Sequence, residues 1–157
     1  MVAVHFAIIR PMKKGIDFIG VSVVFFCHDG KGNFLSNLRT GKARDEHGRW
    51  DLGGGGVNFG ETVLNALKRE IKEEYCTDVL KAEFLGYRDV FRVDEKKNKT
   101  HWLAIDYKVL VDRKKVRNGE PAKSEKIGWF TFENLPKPLH SQFPFFIKKY
   151  KPQLLKF

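Results

Sequence analysis

The chain has 157 residues, of which 42% are hydrophobic and 31% charged, and its formal net charge is +10. This length and composition fit a single folded domain over residues 1–157 and exclude a disordered chain. No apolar run approaches the roughly 18 residues that a membrane span requires, and residues 1–11 lack the pattern of a secretion signal. Cys27 and Cys76 form no metal-binding spacing. We therefore expect a cytoplasmic protein with no membrane partner.

The positive charge favours an anionic ligand, either a nucleotide or a nucleic acid, because a positive field concentrates anions near the surface. It does not distinguish between these ligands, and it says nothing about the reaction or about the oligomeric state.

The first part of the chain predicts strands. Residues 18–27 form a nearly continuous apolar and aromatic run, which is typical of a buried strand. The turn-forming residues 28–32 separate it from a second strand at 33–39, which predicts a hairpin. Residues 40–49 are polar and predict a surface loop, and Trp50 begins a short strand that leads into the glycines at 53–56.

A helix is predicted from residue 62 to residue 75, because apolar residues recur there at helical spacing: Val63, Leu67, Ile71 and Tyr75. Strands follow at 79–93 and 102–111, joined by a charged turn. A basic loop at 112–126 precedes a strand at 127–132, and residues 143–150 predict a closing helix. Strands on both sides of one helix predict a mixed α/β domain, in which helices pack on a sheet.

Three carboxylates lie on one side of this helix. With about 100° of rotation per residue, Glu74 falls about 20°, Glu70 about 60° and Glu73 about 120° from the direction of Leu67. A solvated acidic face is the usual meaning of such charges. Here Glu74 falls inside the apolar arc, where an ionised carboxylate is costly unless it is paired or bound to metal. Oxygen ligands without nearby histidine or cysteine favour Mg²⁺ or Mn²⁺.

The glycines at 53–56 precede the helix, and a helix N-terminus favours anions. They could be only a flexible connection. Together with the acidic helix they predict a site for phosphate and metal, with Gly54 and Gly55 as the positions that let a phosphate approach the backbone.

At this point the sequence resembles the Nudix family, whose signature is G-x5-E-x7-R-E-U-x-E-E-x-G-U, with U aliphatic. Gly55 and Glu61 match its first two positions, and residues 69–74 read Arg-Glu-Ile-Lys-Glu-Glu. The matching segment covers about residues 55–77. The resemblance implies an α/β/α sandwich with a mixed central sheet, and a hydrolase that cuts the diphosphate linkage of a nucleotide derivative with the help of Mg²⁺.

The sequence departs from the family pattern at four positions. Cys76 replaces the closing glycine and Thr77 the aliphatic residue after it. Glycine adopts a left-handed turn there without strain, whereas cysteine does not, which puts the exit from the helix in doubt. Gly53 replaces a proline, and Asn58 stands where an acid is common.

By resemblance, the metal ligands are the three helix carboxylates and the backbone carbonyl of Gly54, that is, Gly54, Glu70, Glu73 and Glu74. Arg69 and Glu61 resemble the pair that orients those carboxylates. The reaction would be attack of water on phosphorus, with one glutamate, Glu70 for instance, accepting the proton of the water.

The family often has a further acid in the loop before the last core strand. Glu125 is preferred here over Glu120, although both could be solvated loop residues. Trp129 could stack on a base, with a core position as the alternative. Outside this loop, His101 or Trp102 could face the substrate, and Arg88 and Arg92 could meet phosphates or lie at a solvated strand edge.

The expected substrate is a nucleoside triphosphate or a related nucleotide, from which a nucleoside monophosphate is released. Alternatives within the family are ADP-ribose, dinucleotides and RNA 5′ ends. An alternative from another class is an inactive module that binds nucleic acid through a basic patch, made of Lys114, Lys115, Arg117, Lys123, Lys148, Lys149 and Lys151. The complete acid set favours the enzyme.

Overall fold

A computed structural model describes residues 10–156 of the chain. Residues 1–9, which carry most of the segment judged for a secretion signal, lie outside the described part. The elements in chain order are β1 (Gly20–His28), β2 (Phe34–Arg39), β3 (Trp50–Asp51), β4 (Gly53–Gly56), α1 (Val63–Tyr75), β5 (Val79–Val93), β6 (Lys99–Val111), β7 (Ser124–Phe130) and α2 (Gln142–Leu154). Within residues 10–156, no helix is long and apolar enough to cross a membrane.

The strands form one seven-stranded mixed sheet in the order β3-β2-β1-β6-β5, with β4 paired to β1 and β7 paired to β2. The pairing of β1 with β6 is parallel, whereas β5 pairs antiparallel with β6. The hairpin predicted between the first two strands is present, with His28 opposite Phe34. β1 is therefore central: it pairs with the glycine strand β4 and with β6, and β6 in turn pairs with β5.

Each face of the sheet is covered by one helix. Alternate residues of β1 point to opposite faces, so Val23 and Phe25 join the core under α1 while Phe26 joins the core under α2. Phe26 and Phe146 of α2 stack with their ring centroids 6.3 Å apart. The predicted α/β/α arrangement around a mixed sheet is confirmed.

Helix α1 begins and ends close to the predicted residues. The Thr62 hydroxyl caps its N-terminus by accepting a hydrogen bond from the Asn65 backbone N–H. Leu67, Ile71 and Tyr75 are buried, as the apolar stripe predicts.

The helix ends at Cys76, which adopts the left-handed conformation (φ 54°, ψ 22°) that the family gives to glycine. Cysteine thus takes the turn at the cost of backbone strain.

Several elements differ from the prediction, among them β6, which begins at Lys99 and not at residue 102, and β7, which runs over Ser124–Phe130 and not over 127–132. The glycines at 53–56 form strand β4, paired antiparallel with β1, instead of a loop at a helix N-terminus. The closing helix α2 is longer than predicted and runs from Gln142 to Leu154. The strand was not predicted because glycine has a low β propensity, and only pairing with β1 holds the glycines extended.

Candidate active site

A cavity of about 520 Å³ opens between the acidic side of α1 and the sheet. Its lining includes Val23 and Tyr75, which belong to the core under α1, and also Val24 and Phe146, which belong to the core under α2. The cavity thus reaches both faces of the sheet. We call the part beside α1 the acidic end and the part beside α2 the inner end.

At the acidic end, the carboxylate of Glu74 lies against strand β4. The backbone N–H of Gly54 donates to Glu74 Oε1 over 3.3 Å. Glu74 Oε2 is shielded from solvent and has no hydrogen-bond partner among residues 10–156. Burial raises the pKa of this carboxyl well above its usual value, and the neighbouring charges of Glu70 and Glu120 raise it further.

Arg69 holds a second carboxylate beside the first. Its Nη1 donates to Glu70 Oε1 over 2.6 Å, and its Nε donates to Glu61 Oε1 over 2.8 Å. Its Nη2 reaches the backbone oxygen of Gly56 over 3.0 Å. The expected pair of Arg69 and Glu61 is present, and the hydrogen bond from Arg69 lowers the pKa of Glu61 to about 2. Burial raises the pKa of Glu70 despite Arg69.

The glycines of β4 make room for these carboxylates. A Cβ atom on Gly55 would lie 2.0 Å from Glu70 Cδ, and one on Gly53 would lie 2.6 Å from Glu74 Oε2. Side chains at these positions would push the acids away from the strand. At Gly55 the need for glycine therefore comes from the approach of Glu70, whereas the nearest atom to a Cβ is Phe25 Cε2 (2.0 Å) at Gly53 and the Val23 backbone oxygen (2.6 Å) at Gly54. The predicted contact of Gly54 and Gly55 with a phosphate stays a prediction.

Glu73 differs from the other helix acids. Its side chain is 49% exposed, it receives a 3.3 Å hydrogen bond from Arg69 Nη1, and it does not line the cavity. No group of three acidic, histidine or cysteine side chains among residues 10–156 is arranged to hold a metal ion. The structure therefore places two of the three predicted carboxylate ligands, Glu70 and Glu74, in the cavity.

These two carboxylates nevertheless suit a divalent cation. A shielded carboxylate oxygen without a partner is costly, and Glu74 Oε2 is such an atom. Glu70 lines the same cavity within electrostatic reach of it. An oxygen-only set of this kind fits Mg²⁺ or Mn²⁺.

The loop before β7 brings Glu120, and not Glu125, to the cavity. Gly119 packs on the C-terminus of α1, where its backbone N–H donates to Glu74 O over 2.9 Å. Glu120 follows directly and lines the cavity, with its Oε1 accepting a 2.7 Å hydrogen bond from Lys123 Nζ. Glu125 is exposed and does not line the cavity. Geometry thus favours Glu120 over the acid preferred from the sequence.

The tryptophan that lines the cavity is Trp102 and not Trp129. Trp129 packs against the core under α1, with the Arg113 guanidinium 4.9 Å from its ring centroid. Trp102 lines the cavity beneath Arg44, whose guanidinium lies 5.2 Å from the ring centroid. His101 instead bonds to Asp89 over 2.8 Å.

Two arginines of β5 line the inner end, and neither is a solvated strand-edge charge. Arg88 and Arg92 have side chains only 10% and 17% exposed. Arg88 pairs with the buried Asp106, and Arg92 pairs with Asp45 over 3.0 Å. Phe143 and Phe146 of α2 line the cavity together with both arginines. No sequence pattern predicted a role for these aromatic residues in the site. Their signal was only that of core residues.

The basic residues considered for nucleic acid do not form one surface. Lys123 lines the cavity, and the backbone of Arg117 caps α1 by donating to Tyr75 O. Lys148, Lys149 and Lys151 belong to α2, on the opposite face of the sheet.

Comparison with known proteins agrees with this architecture. The family model described as NUDIX domain matches residues 18–152. The MutT NUDIX hydrolase from Burkholderia pseudomallei is 30% identical, with a TM-score of 0.70 over 83% of this chain and 96% of that one. The MutT protein from Methanosarcina mazei Go1 is 23% identical, with a TM-score of 0.71 over 88% and 96%.

A third similar structure is the NUDIX domain of NrtR from Shewanella oneidensis, complexed with ADP ribose. It is 17% identical, with a TM-score of 0.66 over 91% of this chain and 90% of that one. At this identity the match shows the fold alone.

Proposed function

This chain belongs to the NUDIX domain family and is a pyrophosphohydrolase, and we propose that it uses Mg²⁺, or Mn²⁺ in its place, to cut the diphosphate linkage of a nucleoside diphosphate derivative. The substrate that we propose first is a nucleoside triphosphate or a related nucleotide, and the product would be a nucleoside monophosphate. The observation that carries this proposal is the shielded Oε2 of Glu74, which has no partner in the described part of the chain and lies beside Glu70 in a cavity of nucleotide size.

Glu70, Glu74 and the Gly54 carbonyl would hold the ion, with Glu73 joining them from the rim of the cavity. When bound, the ion would offset the negative charge of the diphosphate as its P–O bond breaks. Lys123 and Arg44, which line the cavity, supply further positive charge for the phosphates.

Glu70 is the proposed proton acceptor. Its Oε1 accepts from Arg69 over 2.6 Å and has a second lone pair for the ion, which leaves Oε2 to take a proton from the attacking water. In the absence of an ion, burial raises the pKa of Glu70. Glu120 approaches the same group closely enough to raise its pKa, and we propose it, in preference to Glu125, as the further acid.

The experiment is a hydrolysis screen over nucleoside triphosphates, ADP-ribose, dinucleotides and capped RNA, with and without Mg²⁺ and Mn²⁺. We expect metal-dependent release of a nucleoside monophosphate by the wild type. Glu70→Gln should lower kcat by at least about 10²- to 10⁴-fold, the usual contribution of a general base. Glu83→Gln, which alters an exposed glutamate of β5, is the matched control and should leave kcat unchanged.

RNA binding at several salt concentrations separates the enzyme from the nucleic-acid module. A module would bind RNA with an affinity that falls steeply with salt, and Glu70→Gln would not weaken it. The proposal fails if a folded wild type hydrolyses none of these diphosphates with either metal and binds RNA equally well with and without Glu70.

A further inference from the structure

The inner end of the cavity has apolar walls. They come from five segments of the chain: Val24, Leu52, Val90, Ala104, and Phe143 with Phe146. Small-molecule sites commonly combine such walls with a few fixed polar groups. Arg88 lies beside these apolar residues, with its side chain only 10% exposed and its guanidinium 5.4 Å from the Phe146 ring centroid.

Arg88 is fixed by a buried acid. Its Nε donates to Asp106 Oδ2 over 2.7 Å and its Nη2 to Asp106 Oδ1 over 2.9 Å. Tyr150 of α2 also donates from its hydroxyl to Asp106 Oδ2, over 2.8 Å. Gly86 leaves room for that hydroxyl, because a Cβ there would lie 3.0 Å from Tyr150 Oη. The guanidinium is therefore held in one orientation before any ligand binds.

One nitrogen of this guanidinium has no hydrogen-bond acceptor in the described part of the chain. Arg88 Nη1 is shielded from solvent and has no hydrogen-bond partner among residues 10–156. A buried donor that is left unpaired costs free energy, and the cost is larger for a charged group. Nε and Nη2 are occupied by Asp106. Nη1 is thus the nitrogen of Arg88 that has no protein acceptor, in a side chain that lines the cavity; Arg92 Nε, from the same lining, also has none among residues 10–156.

The net charge of the Arg88–Asp106 pair determines which kind of acceptor suits Nη1. Asp106 has a fully buried side chain and neutralises Arg88, so the pair offers a donor without a net positive charge. A phosphate is better matched by cations that keep their charge, whereas a neutral carbonyl oxygen is matched by this pair. The guanidinium has only donors, so an exocyclic amino group would face it donor to donor.

We propose that Arg88, positioned by Asp106 and Tyr150, donates from Nη1 to a carbonyl oxygen of the substrate's base. The inner end is then the base pocket, and it prefers a 6-oxopurine to a 6-aminopurine. This inference rests on the proposed function, because it takes the ligand of the cavity to be a nucleotide.

The first test measures binding without metal, by calorimetry with inosine 5′-monophosphate and adenosine 5′-monophosphate. The two ligands differ chiefly in a carbonyl or an amino group on the same purine ring. We expect the wild type to bind the inosine compound at least about 10-fold more tightly, as a buried hydrogen bond to a charged group allows. Arg88→Lys keeps a positive charge beside Asp106 but lacks Nη1, and it should reduce the preference to about threefold or less.

Two further variants provide a substitute and a control for this test. The double variant Arg88→Gln with Asp106→Asn removes both buried charges at once, so it carries the test if Arg88→Lys does not fold. Arg113→Gln makes the same change to an arginine that does not line the cavity and should leave the preference unchanged. Circular dichroism and thermal unfolding establish that each variant is folded.

The second test compares kcat/KM for inosine and adenosine triphosphates with Mg²⁺. A ratio that matches the binding preference and collapses in the Arg88 variants supports the inference. Equal binding and equal kcat/KM for both purines in the wild type overturn it and leave the hydrolase in place. No hydrolysis of any nucleotide overturns the proposed function instead, and the metal-free binding ratio then decides the role of Arg88.

Discussion

Both ends of the cavity hold charged side chains with a shielded atom that has no hydrogen-bond partner among residues 10–156: Glu74 Oε2 at the acidic end, and Arg88 Nη1 and Arg92 Nε at the inner end. The two ends differ in what surrounds these atoms. Glu74 lies among other acids that raise its pKa, whereas Arg88 is paired with Asp106 in two hydrogen bonds. The acidic end, where the negative charges are not compensated, suits a cation. The inner end, where Asp106 neutralises Arg88, suits a neutral acceptor. Similar unpaired atoms therefore indicate different ligands, according to local charge balance.

Of the variants that compare the two ends, the one that removes the charge of Glu74 should have the largest effect. Glu74→Gln takes away one ion ligand, and because an ion contributes several kcal/mol to the transition state, kcat should fall by about 10³-fold. Mg²⁺ should raise the melting temperature of the wild type but not that of Glu74→Gln, since an ion stabilises only the fold that binds it. Thermal unfolding with a metal titration and steady-state kinetics measure both.

The same variant tests whether the two ends are separable. Without metal, Glu74→Gln should keep the preference for inosine over adenosine monophosphate, because Arg88 and Asp106 are untouched. Loss of that preference would show that the ends do not act independently. An unchanged metal-induced shift would place the ion elsewhere.

A side chain added to strand β4 beside Glu70 should have the next largest effect. Gly55→Ala places a Cβ atom 2.0 Å from Glu70 Cδ, so the carboxylate must move, and a displacement of about 1 Å can lower kcat by about 10²-fold. The neighbouring Gly56→Ala is the control, because the nearest atoms to its Cβ lie 4.0 Å away. Equal kcat values for the two variants would contradict the view that the glycines serve the carboxylates.

A smaller effect is expected from the loop acid. Glu120→Gln should lower kcat by about 10- to 100-fold, the range for a group that supports a metal site, because Glu120 lines the cavity near Glu70 and Glu74. Glu125→Gln alters an exposed residue and should have little effect. The opposite order in kcat would return the role to Glu125, as the sequence suggested.

The smallest effect is expected at the end of α1, where Cys76 does not line the cavity. Cys76→Gly should stabilise the protein by about 1 kcal/mol, because a left-handed residue with a side chain costs about 1–2 kcal/mol and glycine recovers part of it. Cys76→Ala keeps the Cβ atom and should give no gain. Chemical denaturation of both variants measures the difference, and an equal gain in the two would show that the sulfur, and not the backbone, is at fault.

The sequence alone identified the helix, its buried stripe and the acids that face the cavity. These features depend on residues within a few turns of one another, so helical periodicity places Leu67, Ile71 and Glu74 on one side before any tertiary contact is known. The same local reasoning located β1 and β5. It also identified the family, because the charged positions of the signature lie within one short segment.

Only the tertiary structure decided which distant residues share the cavity. Glu120 reaches it because Gly119 packs on the end of α1, whereas Glu125 lies beyond that contact. Arg88 is neutralised by a residue 18 positions away, across the bulged pairing of β5 with β6. A one-residue change of register reverses the face of every side chain in a strand, and bulges and loop docking depend on packing that no local pattern encodes.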